Sequence, residues 1–422
     1  MKVYGFLRAA MLSAVILGAA TSVDARKAGK TLCDADIPAA PASNPGLKGS
    51  TMTKPAPVIP VIKGKLPVVA TPVPVVAVTP VAPAPAPAAP PAAPVNAGAP
   101  ASTPAAATPS GAAQTKTGTV KAKFSYTGKD AGGPGFYDMV TDFATCAKTK
   151  QATSSPVSPL DDDVTIVFRG PMNIYNIAVF DGSSGSWNKV SSYEKGGAAN
   201  NLVFLNNRNI DYNGKSSPQG FSNEDGTKSV AQSTPFKGAL AAASNPYSQS
   251  IYADEKTGAE VHIMSGKKCG QDGECKGYYD KDGTAFHGWG GAKKMFVTKV
   301  NMPQGGSPNL PAIWMLNAQI VRSSQYQCNC RGMGKGGGCG ELDIAEVIEK
   351  DTTVVATHYY FYDGGSAPGH DSFGKRPYDT PATYITIIDE SYGVKILELG
   401  PDDFDFSCGS VSNDVISQWL KA

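Results

Sequence analysis

From about Val120 onward the chain is built of short β-branched and aromatic runs, each closed by Gly, Asn, Asp or Ser, and this texture restricts the fold more than any other feature. Val164 to Phe168, Tyr175 to Phe180, Leu202 to Leu205, Glu260 to Met264, Lys294 to Val300, Ala312 to Leu316 and Val354 to Tyr362 each read as a strand. No stretch holds apolar residues at the spacing of a long helix. About 260 residues of this kind suit a single all-β sandwich or jelly roll, because β domains of that size commonly fold as one unit. Two smaller β domains are the alternative.

The segment ahead of it cannot form a packed core. Between Thr53 and Gly118 the chain consists of Pro, Ala, Val and Thr with four lysines and no acid, and it holds 16 of the 33 prolines. A segment of this composition favours extended polyproline II, and its 66 positions reach on the order of 200 Å at ~3.1 Å each. It reads as a disordered stalk, either O-glycosylated or left as a bare linker. Ahead of it, Lys2 and Arg8 precede an apolar run from Ala9 to Ala20 and then Val23-Asp24-Ala25, the pattern of a secretory signal peptide. The apolar run is too short to span a bilayer, which takes about 20 residues. The polar end from Ile416 to Ala422 lacks a lipid-anchor signal. The expected organisation is a signal peptide over 1–25, a short segment over 26–52 and the stalk over 53–118. A small β extension over 119–160 and a β domain over 161–422 follow. The expected product is secreted, monomeric and free of a membrane anchor.

Lys plus Arg number 38 and Asp plus Glu 36, so no charge excess draws the chain to nucleic acid or to an anionic membrane, and a neutral polymer suits it better as partner. Eight cysteines, an even number in an oxidising compartment, read as disulfides, with Cys269–Cys275 the easiest local loop. A zinc site at Cys328, Cys330 and Cys339 is the rival, and it lacks both C-x-x-C spacing and a neighbouring His. Neither metal nor cofactor is expected.

Chemistry concentrates in Gly338-Cys339-Gly340-Glu341-Leu342-Asp343-Ile344-Ala345-Glu346-Val347-Ile348, where three carboxylates fall within six residues on a strand-forming stretch. Side chains alternate along a strand, so Glu341 and Asp343 share a face and Glu346 points away unless a β-bulge among Asp343, Ile344 and Ala345 returns it. Leu342 would then pack behind, into the core. Retaining cleavage of a glycosidic bond needs a nucleophilic carboxylate and a protonated one about 5–5.5 Å apart. At that distance two charges repel by roughly 3 kcal/mol at an effective dielectric of 20, so the pair resists ionising together. A solvated acidic strand is the bland reading of the same residues.

The acidic hexapeptide resembles the E-x-D-x-x-E signature of the laminarinase-like branch of glycoside hydrolase family sixteen. Leu310-Pro311-Ala312-Ile313-Trp314-Met315-Leu316 and Thr357-His358 resemble two further strands of that family. More closely, the chain resembles the Tos-type glycosyl hydrolases of fungal cell walls. The resemblance runs through Phe168-Arg169-Gly170-Pro171, His262-Ile263-Met264-Ser265-Gly266, Gly277-Tyr278-Tyr279, Phe286-His287-Gly288-Trp289-Gly290-Gly291 and Pro311 to Ala318, and it covers about Pro159 to Tyr362. It implies a concanavalin-like β-jelly-roll sandwich and a β-1,3-glucan substrate. It also implies Glu341 as nucleophile, Asp343 as its helper and Glu346 as acid and base. The resemblance also places Trp314 in the cleft as a sugar platform and His358 beside the acids, while Trp289, more readily a loop anchor, His287 and Asn317 are read from the sequence itself as further candidate substrate contacts. A core Trp and a hydrogen-bonding structural His are the competing readings for these aromatic and imidazole groups. The chain departs from the family in its N-terminal Cys-rich module, reduced to Phe124 through Pro159 with Cys146 alone, and in its long stalk. A glucan transglycosylase and a non-catalytic glucan-binding wall protein remain as alternatives to an endo-β-1,3-glucanase.

Overall fold

The computed structural model describes residues 111–206, 210–212, 215–217, 220–243, 260–325, 328–332, 336–362 and 366–422; the expected signal-peptide region, residues 53–110 of the expected stalk and Cys33 lie outside these described residues, whereas the end of that stalk is ordered, Ala113–Gln114 pairing as a strand with Ser410–Val411. Strands are numbered in chain order. The first of two nine-stranded sheets runs β12 (Ser229–Val230), β11 (Gly220–Ser222), β8 (Leu202–Asn206), β14 (Val261–Ser265), β5 (Val164–Arg169), β16 (Ala312–Asn317), β17 (Gly338–Ile348), β18 (Asp351–Tyr362) and β19 (Ser366–Lys375). The second runs β1 (Ala113–Gln114), β22 (Ser410–Val411), β7 (Trp187–Glu194), β6 (Met172–Asp181), β15 (Lys293–Asn301), β20 (Ala382–Asp389), β21 (Gly393–Leu399) and β2 (Val120–Tyr126), with β13 (Ala239–Leu240) on β6. Two separate pairs are β3 (Gly135–Asp142) with β4 (Ala147–Thr153) and β9 (Ile210–Tyr212) with β10 (Lys215–Ser217). Within the two large sheets the pairing is antiparallel except for β1 on β22.

The sheets pack as a sandwich. Val164, Ile166 and Phe168 of β5 and Ile313 and Met315 of β16 share one core with Phe296, Tyr384 and Ile396 of the second sheet. The alternate residues of the same strands, Val167, Trp314 and Leu316, join an outer cluster with Tyr137 of β3 and Ile320 and Val321 of helix α1 (Ala318–Ser323). On the far side, Val415, Ile416 and Trp419 of helix α2 (Asn413–Lys421) cover Ala178, Met295, Ile385 and Leu397. Burying side chains of this size contributes about 1.5–3 kcal/mol each, enough to hold a nine-residue helix that would not persist alone. With both faces covered, β5 and β16 are buried at every position, which is why they read as unbroken apolar runs rather than alternating ones.

Every strand expected from sequence falls within an observed strand, except that the one expected from Glu260 begins at Val261. Helix α2 was not expected, because nine residues show too few turns for periodicity to stand out; its signals are the Ser412 cap, whose Oγ accepts the Val415 N–H at 3.4 Å, and the spacing of Val415, Ile416 and Trp419. The N-terminal extension divides: Val120–Tyr126 is an edge strand of the second sheet on β21, whereas the β3–β4 hairpin stands on the outer face of the first. Three disulfides form, Cys146–Cys328, Cys269–Cys275 and Cys330–Cys339, so the three cysteines of the zinc alternative are all oxidised. Among the described residues Cys408 is free, and it is buried.

Candidate active site

β17 carries the three carboxylates, and its register against β16 decides which way they face. Leu316 lies opposite Glu341, Trp314 opposite Asp343, Ile313 opposite Ala345 and Ala312 opposite Glu346, so Ile344 has no partner. The same extra residue appears against β18, where Leu342 meets Tyr359 and Glu346 meets Ala356. This is the bulge expected among Asp343, Ile344 and Ala345. It puts Glu341, Asp343 and Glu346 on the outer face with Ala312, Trp314 and Leu316, and it sends Leu342, Ile344, Ala345 and Val347 into the core. Gly340, at φ +105°, admits the backbone turn just before Glu341, and a Cβ there would meet Pro159 at 2.8 Å.

Two arginines meet the outer carboxylates. Arg331 grips Glu341 with both arms: Nε donates to Oε2, and Nη2 donates to Oε1 at 2.7 Å. The pair is enclosed, with Glu341 only 2% exposed. Arg169 donates from Nη2 to Glu346 Oε1 at 3.1 Å and from Nε to the Leu310 carbonyl at 2.7 Å, while its Nη1 lies 3.9 Å from the buried Glu260. Glu346 is the open member, its side chain 24% exposed. Asp343 lies between them, buried, and burial together with Glu346 and Glu341 holds its carboxyl well above the usual carboxylate range against the pull of Arg331 and Arg169. The cluster therefore keeps a proton on its middle member. Tyr360, opposite Glu341 on β18, is pushed far above the ordinary phenol value by burial and then by these three acids, so it stays a hydroxyl.

His358 also stands at this site. Its Nε2 lies 3.1 Å from Asp371, which Lys350 holds at 2.8 Å, and Lys350 is the main reason the Asp371 carboxyl lies below its usual range. The ligand atoms of Asp343, Glu346 and His358 lie within 4.8 Å of one another, close enough to hold a cation, although Arg169 already occupies Glu346. The other such group, Cys269, Cys275 and His287, is ruled out by its disulfide.

The remaining expected contacts lie elsewhere. Trp314 shares the face of the acids but is 2% exposed, and its ring carries the Arg169 guanidinium at 5.4 Å, so it offers no open platform. Trp289 is corrected outright. Its backbone bridges to Val164, its ring packs edge-on against Phe296 in the core, and its Nε1 donates to Ser191 Oγ at 3.0 Å. The glycines around it let the backbone pass close to β5 and not to a ligand. Asn317 caps α1, its Oδ1 accepting the Gln319 N–H at 3.1 Å. His287 bridges Asp163 and the Gly273 carbonyl at 3.1 Å each. Asn317 and His287 line a different cavity, of about 290 Å³, with Asp161, Asp162, Asp163 and Lys276 and with none of the three acids of β17.

Sequence reasoning did not single out Arg331 or Arg169 as site residues. A charge set inside the β-forming run Val164–Arg169 and one directly after Cys330 were the available signals.

Two family models match the chain: Cell wall protein YJL171C/Tos1, C-terminal, over residues 185–419, and its N-terminal counterpart over 123–182. The chain is 34% identical over 251 residues to the Saccharomyces cerevisiae protein named "Probable circularly permuted 1,3-beta-glucanase TOS1", covering 57% of this chain and 50% of that one. It is 32% identical over 259 residues to the Candida albicans protein of the same name, covering 56% and 50%. With the S. cerevisiae protein named "Probable circularly permuted 1,3-beta-glucanase YJL171C" it shares 29% identity over 293 residues, covering 63% and 69%. The chain thus spans about half the length of the first two relatives. No solved structure matches.

Proposed function

Because the chain belongs to the YJL171C/Tos1 cell wall protein family, we propose that it is a secreted, retaining endo-β-1,3-glucanase of the cell wall. Glu341 is the nucleophile and Glu346 the acid and base. The observation that carries this reading is the bulge at Ile344, which brings a five-residue spacing onto one face. Without it Glu346 would lie in the core.

In the first step an oxygen of Glu341 bonds to the anomeric carbon while the glycosidic C–O bond breaks, and the leaving oxygen takes a proton from Glu346. Asp343, buried and with its carboxyl held well above the usual carboxylate range, supplies Glu346 with that proton and recovers it at the end of the second step. In the second step Glu346 takes a proton from water, the water oxygen bonds to the anomeric carbon, and Glu341 leaves as a carboxylate. His358, partly exposed, and Tyr360, opposite Glu341 on β18, would hydrogen-bond sugar hydroxyls.

Incubating the purified protein with laminari-oligosaccharides tests the reading. Shorter products are expected; longer ones mark a transglycosylase, and unchanged ones a glucan-binding wall protein. Glu341→Gln should keep the fold and cut turnover by roughly 10⁴-fold or more, the scale on which a covalent nucleophile is missed. Activity near wild type in that variant would remove Glu341 from the mechanism.

A further inference from the structure

We propose that Arg331 is a positioning residue for this reaction: its fork fixes the Glu341 carboxylate in the attacking orientation, and the Cys330–Cys339 disulfide braces that fork to the strand bearing Glu341. The inference rests on Glu341 being the nucleophile.

The geometry begins in Cys328-Asn329-Cys330-Arg331. Cys330 is bonded to Cys339, two residues before Glu341, and the Cys339 N–H donates to the Cys330 carbonyl at 2.7 Å, so the segment is tied to β17 by a covalent bond and a backbone bond. Cys328 is bonded to Cys146 at the turn of the β3–β4 hairpin. Between the two bridges, Asn329 donates to the Ser324 and Gln325 carbonyls at 2.8 and 2.9 Å and accepts the Arg331 N–H at 2.8 Å. The backbone of Arg331 is therefore held from its N-terminal side, and its guanidinium meets both oxygens of Glu341.

A glutamate side chain has three torsions, and the reacting oxygen must stand about 3–3.5 Å from the anomeric carbon with its lone pair aligned. A planar guanidinium gripping both oxygens fixes the plane of the carboxylate, which a lysine ammonium, a point charge, cannot do. It also keeps Glu341 from turning towards Asp343. As the ester forms, one oxygen leaves the fork to bond carbon, and the other keeps its N–H donor as it becomes the ester carbonyl. The proton balance is that of the step above, with Glu346 supplying the leaving oxygen.

The test compares wild type with Arg331→Met, Arg331→Lys and the double variant Cys330→Ala/Cys339→Ala on a laminari-oligosaccharide, with thermal unfolding recorded for each. Arg331→Met should lower kcat on the order of 10²-fold, the loss typical of a misplaced reacting group. KM should change by less than about threefold, because orientation of the nucleophile is needed only in the transition state. Arg331→Lys should recover part of kcat, and the cysteine variant should fall between Arg331→Met and wild type. A merely structural arginine would move the unfolding midpoint and leave kcat of the folded fraction unchanged, which would overturn the proposal. So would an Arg331→Met protein faster than wild type, since the arginine would then be a mask. If Arg331→Met does not fold, undiminished kcat in both Arg331→Lys and the cysteine variant overturns it. A wild type that cleaves no oligosaccharide overturns the glucanase reading and this inference with it, whereas an active wild type with unaffected variants overturns this inference alone.

Discussion

Arg331 pairs with Glu341 and Arg169 with Glu346, which leaves the proton of the cluster with Asp343. The three acids were legible because they fall within six residues, but the arginines were not, since their partners stand 10 and 177 residues away and only the fold joins them. The same reasoning singles out Glu398 on β21, opposite Tyr384, whose Oε2 has no hydrogen-bond partner among the described residues. Burial, set against a weaker pull from Lys121, raises its carboxyl from 4.5 to about 7. The folded state thus holds this proton more tightly than the unfolded one, so stability declines as pH rises from 4.5 to about 7 and stays lowered above it. That gap corresponds to on the order of 3 kcal/mol. Glu398→Gln, which is neutral at every pH, should stabilise the protein by up to ~3 kcal/mol at about pH 8.5 and by much less near pH 4.5, as read by urea unfolding. An equal effect at both pH values would show that Glu398 is not held protonated by the fold.

At the scale of elements, the bulge at Ile344 converts an awkward spacing into a site. Alternation alone predicted that something must break in the middle of β17, and the register locates the break. Deleting Ala345 should restore plain alternation, with the acids still on one face at a four-residue spacing, and should leave measurable turnover. Inserting an alanine between Ile344 and Ala345 should also allow plain alternation, but with Glu346 four residues from Asp343 along β17, too far to work with the other acids, and should abolish turnover. Turnover that survives the insertion but not the deletion would contradict this role for the bulge. The strands of the sandwich were readable because β-branched and aromatic runs there are buried on both faces, as in β5 and β16. Trp289 was not, because its ring turns inward from a Gly-rich connection, and sequence around a glycine does not tell which way the backbone leads the next side chain.

Across the whole molecule, α2 covers one outer face, while α1, the β3–β4 hairpin and the disulfide-braced segment around Arg331 cover much of the other. What stays open lies over β17 and β18, where Glu346 and His358 are partly exposed. The all-β class and the acidic strand were legible from residues close in sequence, but this covering was not, since it joins Tyr137, Phe286, Ile320 and Cys330 from four separate stretches. On the proposed mechanism Glu341 attacks the face of the anomeric carbon opposite the leaving oxygen and water then attacks the face opposite Glu341, so the two inversions must return the original anomeric configuration. Proton NMR of a laminari-oligosaccharide during the first minutes of cleavage, before mutarotation, reads that configuration directly. The β-anomer should be formed first, with the α-anomer growing in later at the spontaneous rate. The α-anomer first, or an oligosaccharide left uncut, would contradict Glu341 as the nucleophile of a retaining glucanase.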